Sequence, residues 1–280
     1  MPGDRVPTLL AWCDGNGIII DPRIRVVDND IEPGHLTGSS RFDVEENSSN
    51  CGRSCARGLD IHSRDQCIHS PCTLVYIPKT AVLSVRSSFL SSRIEPVPYG
   101  HGAHLSLALA LYGELLRGPE SRWYGYVQSL PRETVDIAVF WGDPVAKSTA
   151  NEDFERASHA TCNAGQGSAC ASCKRLYDGR NAMAWLQATE AVWELNDLLH
   201  EIQQYYADVV VPTLRAVSNP KQAKSASTLP SEEPSAKVDP GFKEMEMSLP
   251  GFCHAYSLVL SRAFWVDAFH GLSMVPIADV

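Results

Sequence analysis

The sequence predicts an α+β protein in which a block of helices is inserted between β-segments near the start and the end of the chain. Three observations predict it. Short β-branched runs come first, at Ile18-Ile19-Ile20 and Ile24-Arg25-Val26-Val27. Leucine-, alanine- and aromatic-rich stretches with helical character follow after Gly102. The chain then turns back toward strand at Met274-Val275-Pro276-Ile277. Strands and helices segregated in this way indicate α+β rather than an alternating α/β architecture.

Residues 8–17 read as a short helix with Leu9, Leu10 and Trp12 as apolar residues and Gly15 and Gly17 as stops. The two isoleucine- and valine-rich runs after it are strand candidates. Residues 31–50 are rich in Gly, Ser, Asn and Asp and read as an exposed insertion. Residues 58–61 and 72–78 look like a second pair of strands, with Pro78 ending the ladder. From there the character becomes helical. Leu105, Leu107, Leu109, Leu111, Leu115 and Leu116 mark a buried helix stopped by Gly118-Pro119. Residues 120–130 add Trp123, Tyr124, Tyr126 and Val127, and residues 139–142 form a short aromatic segment. Residues 143–172 lose periodicity and read as a loop, residues 182–214 as a helix broken once or twice. Residues 218–239, rich in Ser, Pro, Lys and Glu, are expected to be disordered. Residues 247–269 resume as a helix, which places Val266 one turn after Arg262.

Composition narrows the function classes. The chain has 280 residues, is 44% hydrophobic and carries a formal net charge of −9. An acidic chain does not suit a nucleic-acid backbone and could suit a basic protein. No apolar run is long enough to cross a membrane, and residues 1–7 do not read as a secretory signal. The expectation is therefore an intracellular protein that uses neither membrane nor nucleic acid. Nine cysteines, an odd number, fit reduced thiols. Cys51, Cys55, Cys67 and Cys72 cluster as C-x3-C-x11-C-x4-C, and Cys170 and Cys173 as C-x2-C. Four thiolates can hold zinc, but this spacing matches no standard finger, so no metal is assigned. His101 and His104 stand three apart near a helix start, with no acid or third ligand in sequence view, and are read as capping or surface residues. Trp123, Tyr124, Trp141, Trp185 and Trp193 could form an aromatic cage for a methylated lysine, but their helical context makes them core residues.

Four stretches, in order, carry a resemblance. They are Leu9-Leu10-Ala11-Trp12 through Gly17-Ile18; Ala56-Arg57-Gly58-Leu59 with Leu74-Val75-Tyr76-Ile77-Pro78-Lys79; residues 121–131 with Phe140-Trp141; and residues 255–279, including Ser261-Arg262-Ala263-Phe264 and Met274-Val275-Pro276-Ile277-Ala278-Asp279. Together they resemble SET-domain protein-lysine methyltransferases of the Rubisco large-subunit methyltransferase type. The resemblance implies an incomplete SET β-fold split by a large helical insertion. It divides the chain into an N-terminal SET part (1–95), a helical insert (96–217), a linker (218–240) and a helix with the start of the C-terminal SET part (241–280).

The implied activity is transfer of a methyl group from S-adenosylmethionine to a lysine nitrogen of a protein substrate, in nucleus or cytoplasm. Attack needs a neutral amine, and free lysine has a pKa of about 10.4, so such a site must desolvate the amine and let its proton leave. By the resemblance, Ala56, Arg57 and Gly58 offer backbone to the cofactor, glycine permitting close approach. Arg262 and Asp279 line the substrate region. The family's Asn-His pair would follow Ala278-Asp279-Val280, and its catalytic tyrosine would come later, whereas none of the nine tyrosines here follows Tyr256. The expectation is thus a truncated member, weakly active or inactive as this chain. The alternative is a non-enzymatic interaction module built on a SET remnant.

Overall fold

The computed structural model describes residues 5–28, 59–64, 68–69, 71–141, 186, 188–218 and 247–278. The expected insertion at 31–50, the loop at 143–172 and nearly all of the linker at 218–239 lie outside them. The fold is mixed helix and strand, an α+β protein. The chain forms two compact units, one from Met1–Ala81, Gly125–Pro131 and Pro276–Val280, the other from Val82–Tyr124 and Arg132–Val275.

In the first unit, helix α1 (Arg5–Gly15) buries Leu9 and Cys13. It ends as the sequence predicts, with Gly17 at φ 74°, a left-handed position that favours glycine. Strands β1 (Ile19–Ile20) and β2 (Ile24–Asp28) follow, then β3 (Leu59–Ser63) and β4 (Val75–Tyr76). The expected pairing of the last two does not occur. β1 pairs antiparallel with β4, and β2 with β3. The physical reason is the bend between β1 and β2. Asp21 Oδ1 accepts the amide of Arg23 at 2.8 Å, and the Arg23 guanidinium returns to the Asp21 carboxylate at 2.6 Å. The bend separates the two strands, so each takes its own partner.

A buried arginine organises the rest of this unit. Arg5 donates to the carbonyls of Ser129 at 2.7 Å and Leu130 at 2.9 Å, with the Asp28 carboxylate 3.7 Å away. Gln128 Nε2 donates back to the Arg5 carbonyl at 3.0 Å. Beside this clamp, Gly125 faces the Trp12 side chain, and a Cβ at 125 would collide with Trp12 Cβ.

The second unit is built on α2 (His101–Arg117), which buries Leu105, Leu107, Ala108, Leu109, Ala110 and Leu111. Its main partner is α6 (Leu249–Arg262), whose Phe252, Ala255, Tyr256 and Val259 are buried. Ser248 caps α6, accepting the Gly251 amide at 3.2 Å, with a proline in the first turn. Tyr112 grips the same cap, accepting from Ser248 N at 2.7 Å and donating to Ser248 O at 3.1 Å. Two residues further along α2 a buried carboxylate makes a second tie: Glu114 accepts the Phe89 amide at 3.0 Å and the Ser121 hydroxyl at 2.6 Å. The helical reading of residues 120–130 shrinks to a single turn, α3 (Tyr124–Val127).

Helix α4 (Glu190–Tyr205) runs through a π-helical segment, Tyr206–Val210, into α5 (Val211–Ser218). Pro212 has no N–H for the carbonyl four residues back, which accounts for the broken register here; the sequence predicts a helix broken once or twice over 182–214 without placing the break.

The clearest departure is at the end of α6. The helix expected to reach residue 269 stops at Arg262, and Ala263–Asp267 is strand β6, followed by β7 (Gly271–Met274). β7 is the middle strand of an antiparallel sheet, with β6 on one side and β5 (Leu83–Ser84) on the other. The turn explains the change. Asp267 Oδ1 accepts the amides of Phe269 at 2.9 Å and His270 at 2.7 Å, and Gly271 sits at φ 66°. Phe264, Trp265 and Val266 are aromatic and β-branched, and a partner strand rewards them more than a helix does. Val266 is therefore a strand residue, not one helical turn from Arg262.

Candidate functional site

Of the five residues that the resemblance singles out, one is among the described residues. Ala56, Arg57 and Gly58 lie outside them, directly before β3, whose first residue, Leu59, is buried and opposite Asp28. Asp279 also lies outside. Arg262 is the last residue of α6, half-exposed, with Nη1 2.8 Å from Ser261 Oγ, to which it donates. The local reason for its position is that the chain leaves helix for strand at the next residue.

The cysteine cluster falls largely outside as well. Cys51, Cys55, Cys67, Cys170 and Cys173 are not described, and Cys72 is an exposed thiol next to the Arg23 guanidinium. Among the described residues there is no group of three or more metal-ligating side chains.

The structure brings together a set the sequence left apart. His101, at the start of α2, places Nε2 2.8 Å from the hydroxyl of Tyr256 on α6. Its Nδ1 lies 2.9 Å from a carboxylate oxygen of Glu201 on α4. The carboxylate is off the line a directed hydrogen bond needs, and Nδ1 has no aligned partner, so this is a close approach of carboxylate to imidazole rather than a hydrogen bond. Tyr256 is fully buried, with Phe140 edge-on at 6.1 Å. Burial first, and the Glu201 charge second, push its hydroxyl pKa up and keep it neutral.

Carboxylate, imidazole and hydroxyl in this order resemble a charge-relay set. Access decides against that use. With its hydroxyl enclosed between α2 and α6, Tyr256 offers nothing for a substrate to reach, and the cluster acts as a polar tie between three helices. Sequence reasoning found His101 but neither partner. Glu201 and Tyr256 stand 100 and 155 positions away, and no local spacing announces them.

The aromatic residues divide. Trp123 is 1% exposed, a core residue as expected, with the Arg122 guanidinium 4.4 Å from its ring. Trp193, also expected in the core, is 74% exposed on α4. Trp185 lies outside the described residues. A further exposed set surrounds β6: Trp265 stacks on Tyr99 with centroids 4.7 Å apart, and Phe264 and Phe269 are exposed nearby in sequence. No described helix is long and apolar enough to cross a membrane.

Among known proteins, no family model matches this chain and no curated protein matches it.

Proposed function

We propose that this chain carries the cofactor and substrate approaches of a SET-type protein-lysine N-methyltransferase. The observation that carries the reading is the third sheet. β5 near residue 83 and β7 near residue 273 are hydrogen-bonded neighbours, with α2 to α6 between them in the chain. A β-region split by a helical insertion is what the resemblance implies. The segment of highest resemblance, residues 255–279, adds a helix end at Arg262 and a hairpin after it.

In this proposal Ala56, Arg57 and Gly58 hold S-adenosylmethionine through backbone groups, at the point where the chain enters β3. Glycine at 58 lets the backbone approach closely. The bound cofactor supplies an electrophilic methyl group. Arg262 and Asp279 orient a protein lysine, and exclusion of water favours its neutral amine. The substrate is a protein of the nucleus or cytoplasm.

Calorimetric titration of S-adenosylmethionine into the chain tests the reading. Heat of binding that vanishes in Gly58→Val is the expected result, because a branched side chain would fill the space the cofactor needs. Absence of binding, or binding undiminished in Gly58→Val, overturns it. Cofactor binding is the primary readout.

A second reading, a non-enzymatic interaction module, is favoured by the exposed Tyr99–Trp265 stack beside β6. It would be preferred if the chain takes up no cofactor while a protein partner is captured by the native chain and released by Trp265→Ala.

A further inference from the structure

Helix α4 wears an unusual outer face. Its 16 residues, Glu190–Tyr205, include no lysine and no arginine. Glu190, Trp193, Glu194 and Asp197 fall at i, i+3, i+4 and i+7, which places them on one side of the helix. All four are exposed. Among the described residues, none of the four side chains has a hydrogen bond, ion pair or ring contact. The opposite side accounts for how the helix packs: Leu195, Leu198 and Leu199 are half-buried and Ile202 is fully buried. Trp193 is thus not needed for the core.

Two of the acids nearby have local explanations. Glu190 is in the first turn, where the helix dipole favours an anion. Glu201 faces His101 at 2.9 Å. Glu194 and Asp197 have neither, and like charges at these spacings lower helix stability. An exposed indole beside two uncompensated carboxylates is complementary to one chemistry. A lysine or arginine cation can pair with the carboxylates and rest its charge on the indole face. The helix itself supplies no such cation to compete.

We propose that this face docks a lysine- or arginine-rich segment of a partner protein, with its cations on Glu194 and Asp197 and its stem or guanidinium against Trp193. A nucleic acid or an anionic membrane would be repelled by the same carboxylates. The inference gives the proposed protein substrate its chemistry and rests on the methyltransferase reading only in calling that partner a substrate.

Fluorescence anisotropy of a labelled oligolysine peptide titrated with the full chain tests it. Binding should weaken as salt rises, because exposed charge contacts are screened. The pair Glu194→Gln with Asp197→Asn should weaken it by about tenfold or more, and so should Trp193→Ala. The pair Asp14→Asn with Glu95→Gln removes the same charge from exposed positions elsewhere and should change affinity less than about twofold. Circular dichroism checks that each variant keeps its helix, as expected from the similar helix propensities of Glu and Gln. Equal weakening by the two double variants would mean diffuse attraction to an acidic chain and would sink the proposal. So would no binding, or binding untouched by the α4 variants. The cofactor titration is independent of this one: loss of the methyltransferase reading leaves the peptide result standing, and the reverse.

Discussion

Helices α2 and α4 have nearly the same length, 17 and 16 residues, and belong to the same unit, yet they live in different surroundings. α2 is apolar on nearly every side and buries eleven residues. α4 is amphipathic and fully buries one, Ile202. The difference teaches what each helix owes to its neighbours. α2 is held by close packing against α6 and by polar groups, Tyr112 and Glu114, that are fully satisfied inside the protein. α4 is held along one stripe and by the Glu201–His101 contact, and its other face is left to solvent or to a partner.

The largest expected difference between the helices is in core truncation. Leu109→Ala removes a fully buried side chain and should cost about 2–5 kcal/mol, because the cavity collapses only in part. Leu198→Ala on α4, half-buried, should cost about 1 kcal/mol or less. Urea unfolding midpoints compare them, and equal losses would erase the distinction.

Next come the carboxylates. Glu114→Ala strips two donors, the Phe89 amide and the Ser121 hydroxyl, of their acceptor inside the protein, at a cost of about 1–3 kcal/mol. Glu194→Ala on α4 should stay within about 0.5 kcal/mol of the parent. A large loss at Glu194 would mean that its face is engaged within the fold.

The smallest effect is a pH dependence. Burial raises the Tyr112 hydroxyl from its ordinary value of 10.0 to about 12, chiefly by desolvation. The ionised form is therefore favoured in the unfolded chain. The stability that comes from keeping Tyr112 neutral is complete below pH 10 and is lost as pH rises through about 12. Tyr205 on α4 is shifted in the same direction. Tyr112→Phe should flatten the alkaline fall in melting temperature without removing it; an unchanged slope would mean that Tyr112 carries no part of it.

Where the reading of the sequence succeeds and fails follows from range. α1, β1, β2 and α2 were legible because each carries its own punctuation: Gly17, the β-branched runs, and Gly118 after a leucine-rich stretch. The end of α6 was not. Its apolar residues continue without a break from Tyr256 to Phe269, and only the Asp267 turn and pairing with β7, itself held on its other side by β5 nearly 190 positions earlier in the chain, make Ala263–Asp267 a strand. The pairing of β3 and β4 failed for the same reason, since the choice lay with the Asp21 bend and not with the strands themselves. Trp193 was assigned to the core by its helical spacing alone, and only the direction in which α4 turns its leucine stripe corrects it. Among candidate site residues, His101 was visible as a titratable group at a helix start. Its partners were not, and four of the five residues drawn from the resemblance lie outside the described chain.

By itself the sequence determined the class of fold, the positions of most helices and the acidic character of the chain, because propensity, periodicity and charge are local properties. Tertiary structure decided which strands pair, where α6 gives way to β6, that His101 meets both Tyr256 and Glu201, and that Trp193 faces outward. Those outcomes depend on contacts between distant residues, and burial settles them only once the chain has closed on itself.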